Sequence, residues 1–509
     1  MSAGADVRLR PPTWDPSRNE GTLRLARLLV LLNGPLALWY LSWLLEPGRS
    51  AHPVLYAMLV SAELFNMAQA VGFWWTIRAT RRHRPTPAGI PPGAVDVLIP
   101  TYNEPVEVVE PTLAAALRIR HPALNVVLLD DGGRPEMERL ARRHGVPYLH
   151  RTERHGAKAG AINAALGKTN APYVAVFDCD HVPDPRFLEA TLPHFAHDAV
   201  AFVQTPQYYA NGGAGGVASG SWSQQSLFFG PIATGRDALG AMFCCGTNVV
   251  FRRAALEAVG GFPSESLTED FELSITLHEA GWQTRYVPEV LASGLGPEDM
   301  ASYVSQQLRW ARGCLSAVPR ILAARLPLKV RLNYLLSAGF WLTGWTVLVY
   351  VSFPIVRILT GEQPVAVASA DQFLVHWAPY FAAALATVAL SARGSYTFSA
   401  FALMSASFWI HVQASLLTLL RRRGTFAVTP KESSGGRQFR PVAVPLAVCG
   451  LLAGVAAYGL LRDQSPATMN NVAFASLHIT VLFSGAWPAV AGRAGAEAAA
   501  SPSAVEAAG

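Results

Sequence analysis

Long apolar runs bracket one long mixed segment. Residues 28–45 and 54–77 form the first two runs, and 335–359, 396–420, 442–461 and 472–490 form four more. Each is long enough to cross the hydrocarbon core of a bilayer. Between them, short β-branched bursts at 95–100, 126–129 and 173–177 read as buried strands. The stretches 112–119, 135–144 and 159–166 read as intervening helices. Such alternation predicts a parallel α/β sheet, whose ligands bind beyond the carboxyl ends of the strands.

Charge sets the expected topology. Arg24 and Arg27 precede the first run, and Arg78, Arg81, Arg82 and Arg84 follow the second. Basic flanks face the cytoplasm, so 91–326 is expected there too. A further run, 377–390, upsets the parity. If it crossed, the loop 421–440 would fall outside with six basic residues: Arg421, Arg422, Arg423, Lys431, Arg437 and Arg440. This short, Pro379-containing run is therefore expected to be a re-entrant or interfacial helix on the outer face. Six spans with both termini inside result. Within the spans, Glu63 should face protein or water, and Arg357 should snorkel to an end. The expected organisation is a cytosolic segment 1–27, two spans in 28–90, a soluble domain 91–296 and amphipathic interface helices 297–326. A membrane region 327–492 with its loop 421–440 follows, then a disordered tail 493–509.

Composition agrees. The 509 residues are 51% hydrophobic and only 15% charged, against about a quarter charged in soluble domains. The net charge of +6 sits largely beside apolar runs, which argues against a nucleic-acid partner. Five cysteines show no metal-ligand spacing, so free thiols are expected, the adjacent Cys244 and Cys245 included. The polar, Pro-containing N-terminus is unlike a cleaved signal peptide.

Polar motifs cluster at strand ends. Thr101-Tyr102-Asn103-Glu104-Pro105 would be an ordinary turn in isolation. Asp130-Asp131-Gly132-Gly133 places two repelling carboxylates side by side, which favours a ligand role over a solvated turn. Lys158, near a helix N-terminus, suits a diphosphate. Asp178-Cys179-Asp180 offers two hard carboxylates to one Mg²⁺ or Mn²⁺ ion. Thr268-Glu269-Asp270 opens a helical pattern with Thr268 as N-cap, where acidic residues normally just complement the dipole. Gln306, Arg309 and Trp310 share one face of an amphipathic helix starting near Pro297, which alone would read as a helix at a membrane surface.

In this order, with Gln204-Thr205-Pro206-Gln207, Phe243–Asn248 and Phe426–Lys431, the motifs resemble a processive family 2 glycosyltransferase of the cellulose synthase type. The resemblance spans nearly everything from Leu28 to Val490. It implies an α/β, GT-A-like nucleotide-diphospho-sugar transferase domain in the cytosol, inserted in an α-helical polytopic membrane domain. Thr101, Tyr102, Glu104 and Asp131 would hold the nucleoside. Lys158, Gln306 and Arg309 would hold the diphosphate, with Asp178 and Asp180 on the metal. Asp270, beside Glu269, would be the general base of an inverting transfer. Cys245, Gly246 and Trp310 would contact the acceptor, although Cys244 stands where the family has Phe. Phe426, Val428, Thr429 and Lys431 would belong to a gating loop. The implied partners are a UDP-sugar, a growing polysaccharide and membrane lipid, with room for an accessory export subunit. The implied location is the plasma (inner) membrane. Cellulose from UDP-glucose is the best single expectation. Another β-glycan, transfer to a lipid carrier, or a catalytically dead scaffold are the alternatives. Trp341, Trp345 and Trp409 read equally as channel platforms or packing aromatics. The short tail leaves no room for the cyclic-di-GMP-binding domain that many bacterial cellulose synthases carry.

Overall fold

The structure is a computed structural model describing residues 20–499, apart from 81–86, 88, 90, 92, 153–154, 367–369, 394 and 422–435. Ten strands are present: β1 Val95–Thr101, β2 Leu124–Asp130, β3 Tyr148–His150, β4 Tyr173–Val176, β5 Val182–Pro183, β6 Val200–Gln204, β7 Tyr208–Tyr209, β8 Val249–Arg252, β9 Gln283–Tyr286 and β10 Ala292–Gly294. Seven form one sheet in the order β3-β2-β1-β4-β8-β6-β9. The first four strands by sequence pair in parallel, as expected, with Val95 opposite Leu124 and Tyr173. β8 corrects the all-parallel expectation: it runs antiparallel to both β4 and β6. Strands β5, β10 and β7 make a second, small sheet over the strand ends.

Every residue of β1 is buried, which explains its mostly apolar sequence. The exception in chemistry is Asp96, held by Arg253 Nη2 at 2.8 Å, by Asn125 Nδ2 at 2.8 Å and by the Ala171 amide at 3.0 Å. Arg253 spends its other nitrogens on the carbonyls of Ala171 and Leu166. This buried pair ties β1 and β2 to the chain entering β4.

Among the described residues, six helices are long and apolar enough to cross a membrane: Gly21–Leu44, Pro53–Ala79, Thr343–Thr360, Asp371–Ser391, Arg440–Arg462 and Pro466–Gly492. The number six matches expectation, but one member differs. The run 377–390 is not a short helix. It belongs to Ala370–Ser391, 22 residues, which lies along the first helix. There Asn33 Nδ2 donates to Thr387 Oγ1 at 2.8 Å, and Tyr40 stacks on Tyr380 at 5.9 Å. The expected span 396–420 is instead two helices, Phe398–Ala406 and Phe408–Leu419, bent by 41°. Ser407 at the break turns its hydroxyl back to the Leu403 carbonyl.

The broken pair packs on the soluble domain. Gln224 Nε2 reaches the Ala400 carbonyl at 3.3 Å, and Leu403 lies against Gly220. The second half packs along Met300–Ser316 and Thr343–Thr360, with Trp345 Nε1 donating to Ser415 Oγ at 2.9 Å. Glu63 is buried, as expected, and accepts from Tyr350 at 3.0 Å. The last helix, Pro466–Ala499, runs through Pro488 with a kink at Gly492. All five cysteines are free thiols.

Candidate active site

The turn after β2 is built by two arginines. Asp130 accepts from the Gly132 amide at 2.9 Å, the Arg134 amide at 2.7 Å and the Tyr148 hydroxyl at 2.9 Å. Its carboxylate is wholly buried beside Arg134. Asp130 therefore shapes the turn, while Asp131 faces the cavity. Arg151 grips Asp131 with both arms of its fork, Nε at 2.6 Å and Nη2 at 2.5 Å. The repulsion that made a ligand role attractive is thus relieved within the chain. Arg151 carries no recognisable pattern in the sequence and was not anticipated. Glu104 folds back on its own turn, accepting from Thr101 Oγ1 and from the Tyr102 amide, each at 2.9 Å. Thr101, Tyr102 and Glu104 line the cavity with Asp131.

Beyond β4, the Asp178 amide donates to Thr247 Oγ1 at 2.8 Å. Lys158, near the start of the Ala157–Leu166 helix, bonds the Asp178 carboxylate and, at 2.7 Å, the Gly246 carbonyl. Burial pulls the lysine pKa down, but Asp178, Glu269 and Asp270 outweigh it and the net direction is up. Lys158 is accordingly a fixed cation. Asp178, Asp180 and His181 bring ligand atoms within 4.8 Å of one another. Asp180 is buried, with His181 Nδ1 at 3.1 Å from its Oδ1, while His181 Nε2 is buried without a hydrogen-bond partner among the described residues. Two carboxylates and an imidazole suit a divalent cation; His181 extends the set expected from the sequence.

Asp270 sits in the first turn of the Glu269–Glu279 helix. Its carboxylate accepts from the following amide, Phe271, at 2.8 Å. Burial, then the neighbouring Glu269, push its pKa up to about 7. A carboxylate so raised is a competent base near neutrality. Thr268 precedes this helix but makes no capping bond; its hydroxyl is buried against Gly313 without a partner. The capping role expected for Thr268 is therefore corrected: its side chain packs on the Met300–Ser316 helix at Gly313.

The floor of the site is the loop Phe243–Asn248. Gln204 clamps it, accepting from the Cys245 amide at 2.8 Å and donating to the Thr247 carbonyl at 2.8 Å. Gln207 Nε2 reaches the Cys245 carbonyl at 2.9 Å. Gly246 has φ +83°, and a Cβ there would lie 2.9 Å from Asp270 Oδ2. Only glycine admits that carboxylate so closely. The Met300–Ser316 helix, capped by Asp299 onto the Ser302 amide at 2.9 Å, starts three residues later than expected. It brings Gln306, Arg309 and Trp310 to the same cavity.

That cavity has a volume of about 960 Å³. It holds the expected site residues Thr101, Tyr102, Glu104, Asp131, Lys158 and Asp178, together with Asp180, Cys245 and Gly246. Glu269, Asp270, Gln306, Arg309 and Trp310 complete the set. From there it continues between the apolar helices, past Phe73, Gln69, Ser337 and Trp341 to Ala384 and Val388. Trp345 and Trp409 do not line it. Phe426, Val428, Thr429 and Lys431 lie outside the described residues.

A mixed sheet with its carboxylates beyond the strand ends, joined to apolar helices, defines a GT-A-like transferase fold with a helical membrane region. Residues 91–313 match the family described as Glycosyltransferase like family 2. The chain carries a domain of that family. Over 79% of its length it is 32% identical to cellulose synthase 2 of Novacetimonas hansenii, covering 26% of that protein. It is 37% identical, over 58% of its length, to a cellulose synthase catalytic subunit (UDP-forming) of Xanthomonas axonopodis pv. citri, covering 42% of it. The corresponding subunit of Komagataeibacter sucrofermentans is 30% identical over 79% of the chain, which spans 56% of it. The chain thus spans about a quarter to just over half the length of these relatives. Among solved structures, a mannosyltransferase of Pyrobaculum calidifontis in complex with GDP-Man and Mn²⁺ superposes with a TM-score of 0.54 over 72% of this chain and 99% of its own, at 18% identity.

Proposed function

We propose that the chain is a membrane-embedded, inverting glycosyltransferase that transfers glucose from UDP-glucose to a growing β-linked glucan and threads the product between its own helices. The observation that carries this reading is the single cavity joining Asp178, Asp180 and Asp270 to Trp341 and the inter-helical space. A carrier-glycosylating enzyme needs the first half of that cavity but not the second.

Thr101, Tyr102, Glu104 and Asp131 receive the nucleoside; Lys158, Gln306 and Arg309 face the diphosphate. Asp178 and Asp180, with His181 beside them, hold a divalent cation, Mg²⁺ or Mn²⁺, which when bound supplies charge neutralisation for the departing nucleoside diphosphate. Cys245, Gly246 and Trp310 seat the terminal sugar of the acceptor. Asp270, with Glu269 holding its pKa up, takes the proton from the attacking hydroxyl. Direct displacement inverts the anomeric centre and leaves a β linkage. Membrane lipid surrounds the six long helices, an accessory export subunit is compatible with the outer end, and a bacterial plasma membrane fits the cellulose synthase relatives.

Topology follows from the two corrected elements. If Ala370–Ser391 crosses and the broken pair 398–419 re-enters on the domain side, six crossings return both ends to that side. The loop 421–440 stays with the domain, as its basic residues require, and Arg393 joins it.

The test is polymer synthesis in membrane vesicles given labelled UDP-glucose and Mg²⁺, with Asp270→Asn as control. Insoluble product cut by a β-1,4-glucanase, and absent from the variant, supports the reading. A small lipid-soluble product favours the carrier alternative, and no product directs attention to other donors. Chelation should abolish synthesis, and added Mg²⁺ or Mn²⁺ should restore it.

A further inference from the structure

One arginine joins two parts of the cavity that the chain brings in separately. β2 and β3 pair in parallel with Asp130 opposite His150, so the next residues along, Asp131 and Arg151, meet just beyond the sheet. Arg151 Nε and Nη2 donate to the two Asp131 oxygens at 2.6 and 2.5 Å. The same guanidinium makes two further bonds. Nη2 also donates to the Ala157 carbonyl at 2.7 Å, and Nη1 to the His155 carbonyl at 2.6 Å. Asp131, Ala157 and Lys158 line the cavity, whereas Arg151 stands behind them with 15% of its side chain exposed. The turn it holds is one that side chains rarely adopt. Gly156 has φ +77° and Ala157 φ +42°, a left-handed pair whose second member carries a Cβ. Gly160, one turn on, leaves room for the fork: a Cβ there would collide with Arg151 Nη1 and the His155 carbonyl. Lys158 follows this turn directly, and its ammonium reaches the Asp178 carboxylate and the Gly246 carbonyl.

Neutralising Asp131 needs only a positive charge. Holding a carboxylate and two carbonyls at once needs a planar fork. With both oxygens pinned, Asp131 offers its remaining lone pairs to the cavity in a fixed plane, where they can only accept. We propose that Arg151 is a positioning residue that couples the two halves of the nucleotide site. Through Asp131 it sets the acceptor for an N–H edge of the base, and through the turn 155–157 it sets the cation for the diphosphate. Loss of the fork therefore loosens both halves, whereas loss of Asp131 loosens one. The inference rests on the reading that Asp131 receives the nucleoside and Lys158 the diphosphate.

The test measures each half by binding rather than turnover. Wild type, Asp131→Asn, Arg151→Gln and Arg151→Lys are purified as full chains in detergent. Each is titrated with uridine and, separately, with inorganic pyrophosphate in Mg²⁺. Asp131→Asn should lose about ten-fold for uridine, a loss typical of a hydrogen bond to a charged group, and stay within about two-fold for pyrophosphate. Arg151→Gln should lose about ten-fold for both. Arg151→Lys should recover uridine, since an ammonium still pairs with Asp131, but not pyrophosphate, since it cannot also reach both carbonyls. Lysine keeps the charge, so a pyrophosphate loss there does not come from a missing cation. Recovery of both ligands in Arg151→Lys, or of neither, overturns the coupling, and so does unchanged pyrophosphate affinity in Arg151→Gln. Should Arg151→Gln fail to fold, Arg151→Lys decides alone. Wild type that binds guanosine or adenosine in place of uridine would count against the donor assignment instead, and the same split read with that nucleoside still decides the coupling.

Discussion

At the scale of single residues, Asp270 has the clearest consequence. Its pKa near 7 makes the protonation state of this carboxylate the variable that pH controls. In the proposed mechanism the active form is the carboxylate, so transfer should rise through about pH 7 and fall roughly ten-fold per unit below it. A pH profile of kcat/KM checks this. Asp270→Asn should lower kcat by about 10²–10⁴-fold while UDP affinity is kept. Asp130 and Asp131 show how far the sequence reaches. Two adjacent carboxylates at a strand end were legible as unusual, and Asp131 does face the cavity. Their cations, Arg134 and Arg151, are brought in by the turn and by β3, a relation that no local pattern encodes.

At the scale of elements, the loop Phe243–Asn248 is set by backbone geometry. Gly246→Ala should cut activity sharply, because φ +83° strains any Cβ by about 1–2 kcal/mol and the methyl would meet Asp270. Thermal unfolding of the domain should move little by comparison. Arg253→Met should do the opposite. It strands Asp96 among buried strands and should cost about 3–5 kcal/mol, read by denaturant unfolding. Strands and their carboxyl-end motifs were readable because burial on both faces makes a run continuously apolar. The direction of β8 was not, since an antiparallel strand in the middle of a sheet has the same apolar sequence as a parallel one. The break at Ser407 was hidden for a related reason: both halves of 396–420 are apolar, and the bend is imposed by packing on Gly220 and Gly344.

At the scale of the whole molecule, the proposed topology has the two corrected helices exchange roles without changing the number of crossings. Single cysteines introduced at Ser395 and at Glu362 should therefore label from opposite sides of sealed vesicles, with Ser395 on the side of the catalytic domain. Labelling of both from one side would remove the topology proposed above. The contact between domain and helices also has a preparative consequence. Val217, Met300 and Tyr303 share one apolar cluster with Leu403, Ala486 and Ala489. Residues 91–326 expressed alone would present that cluster to water as a sticky face and lose the helices that complete the cavity. Soluble expression of the catalytic part should give aggregates or an enzyme limited to donor hydrolysis, and crystallisation or screening efforts are better begun on the intact chain in a lipid nanodisc.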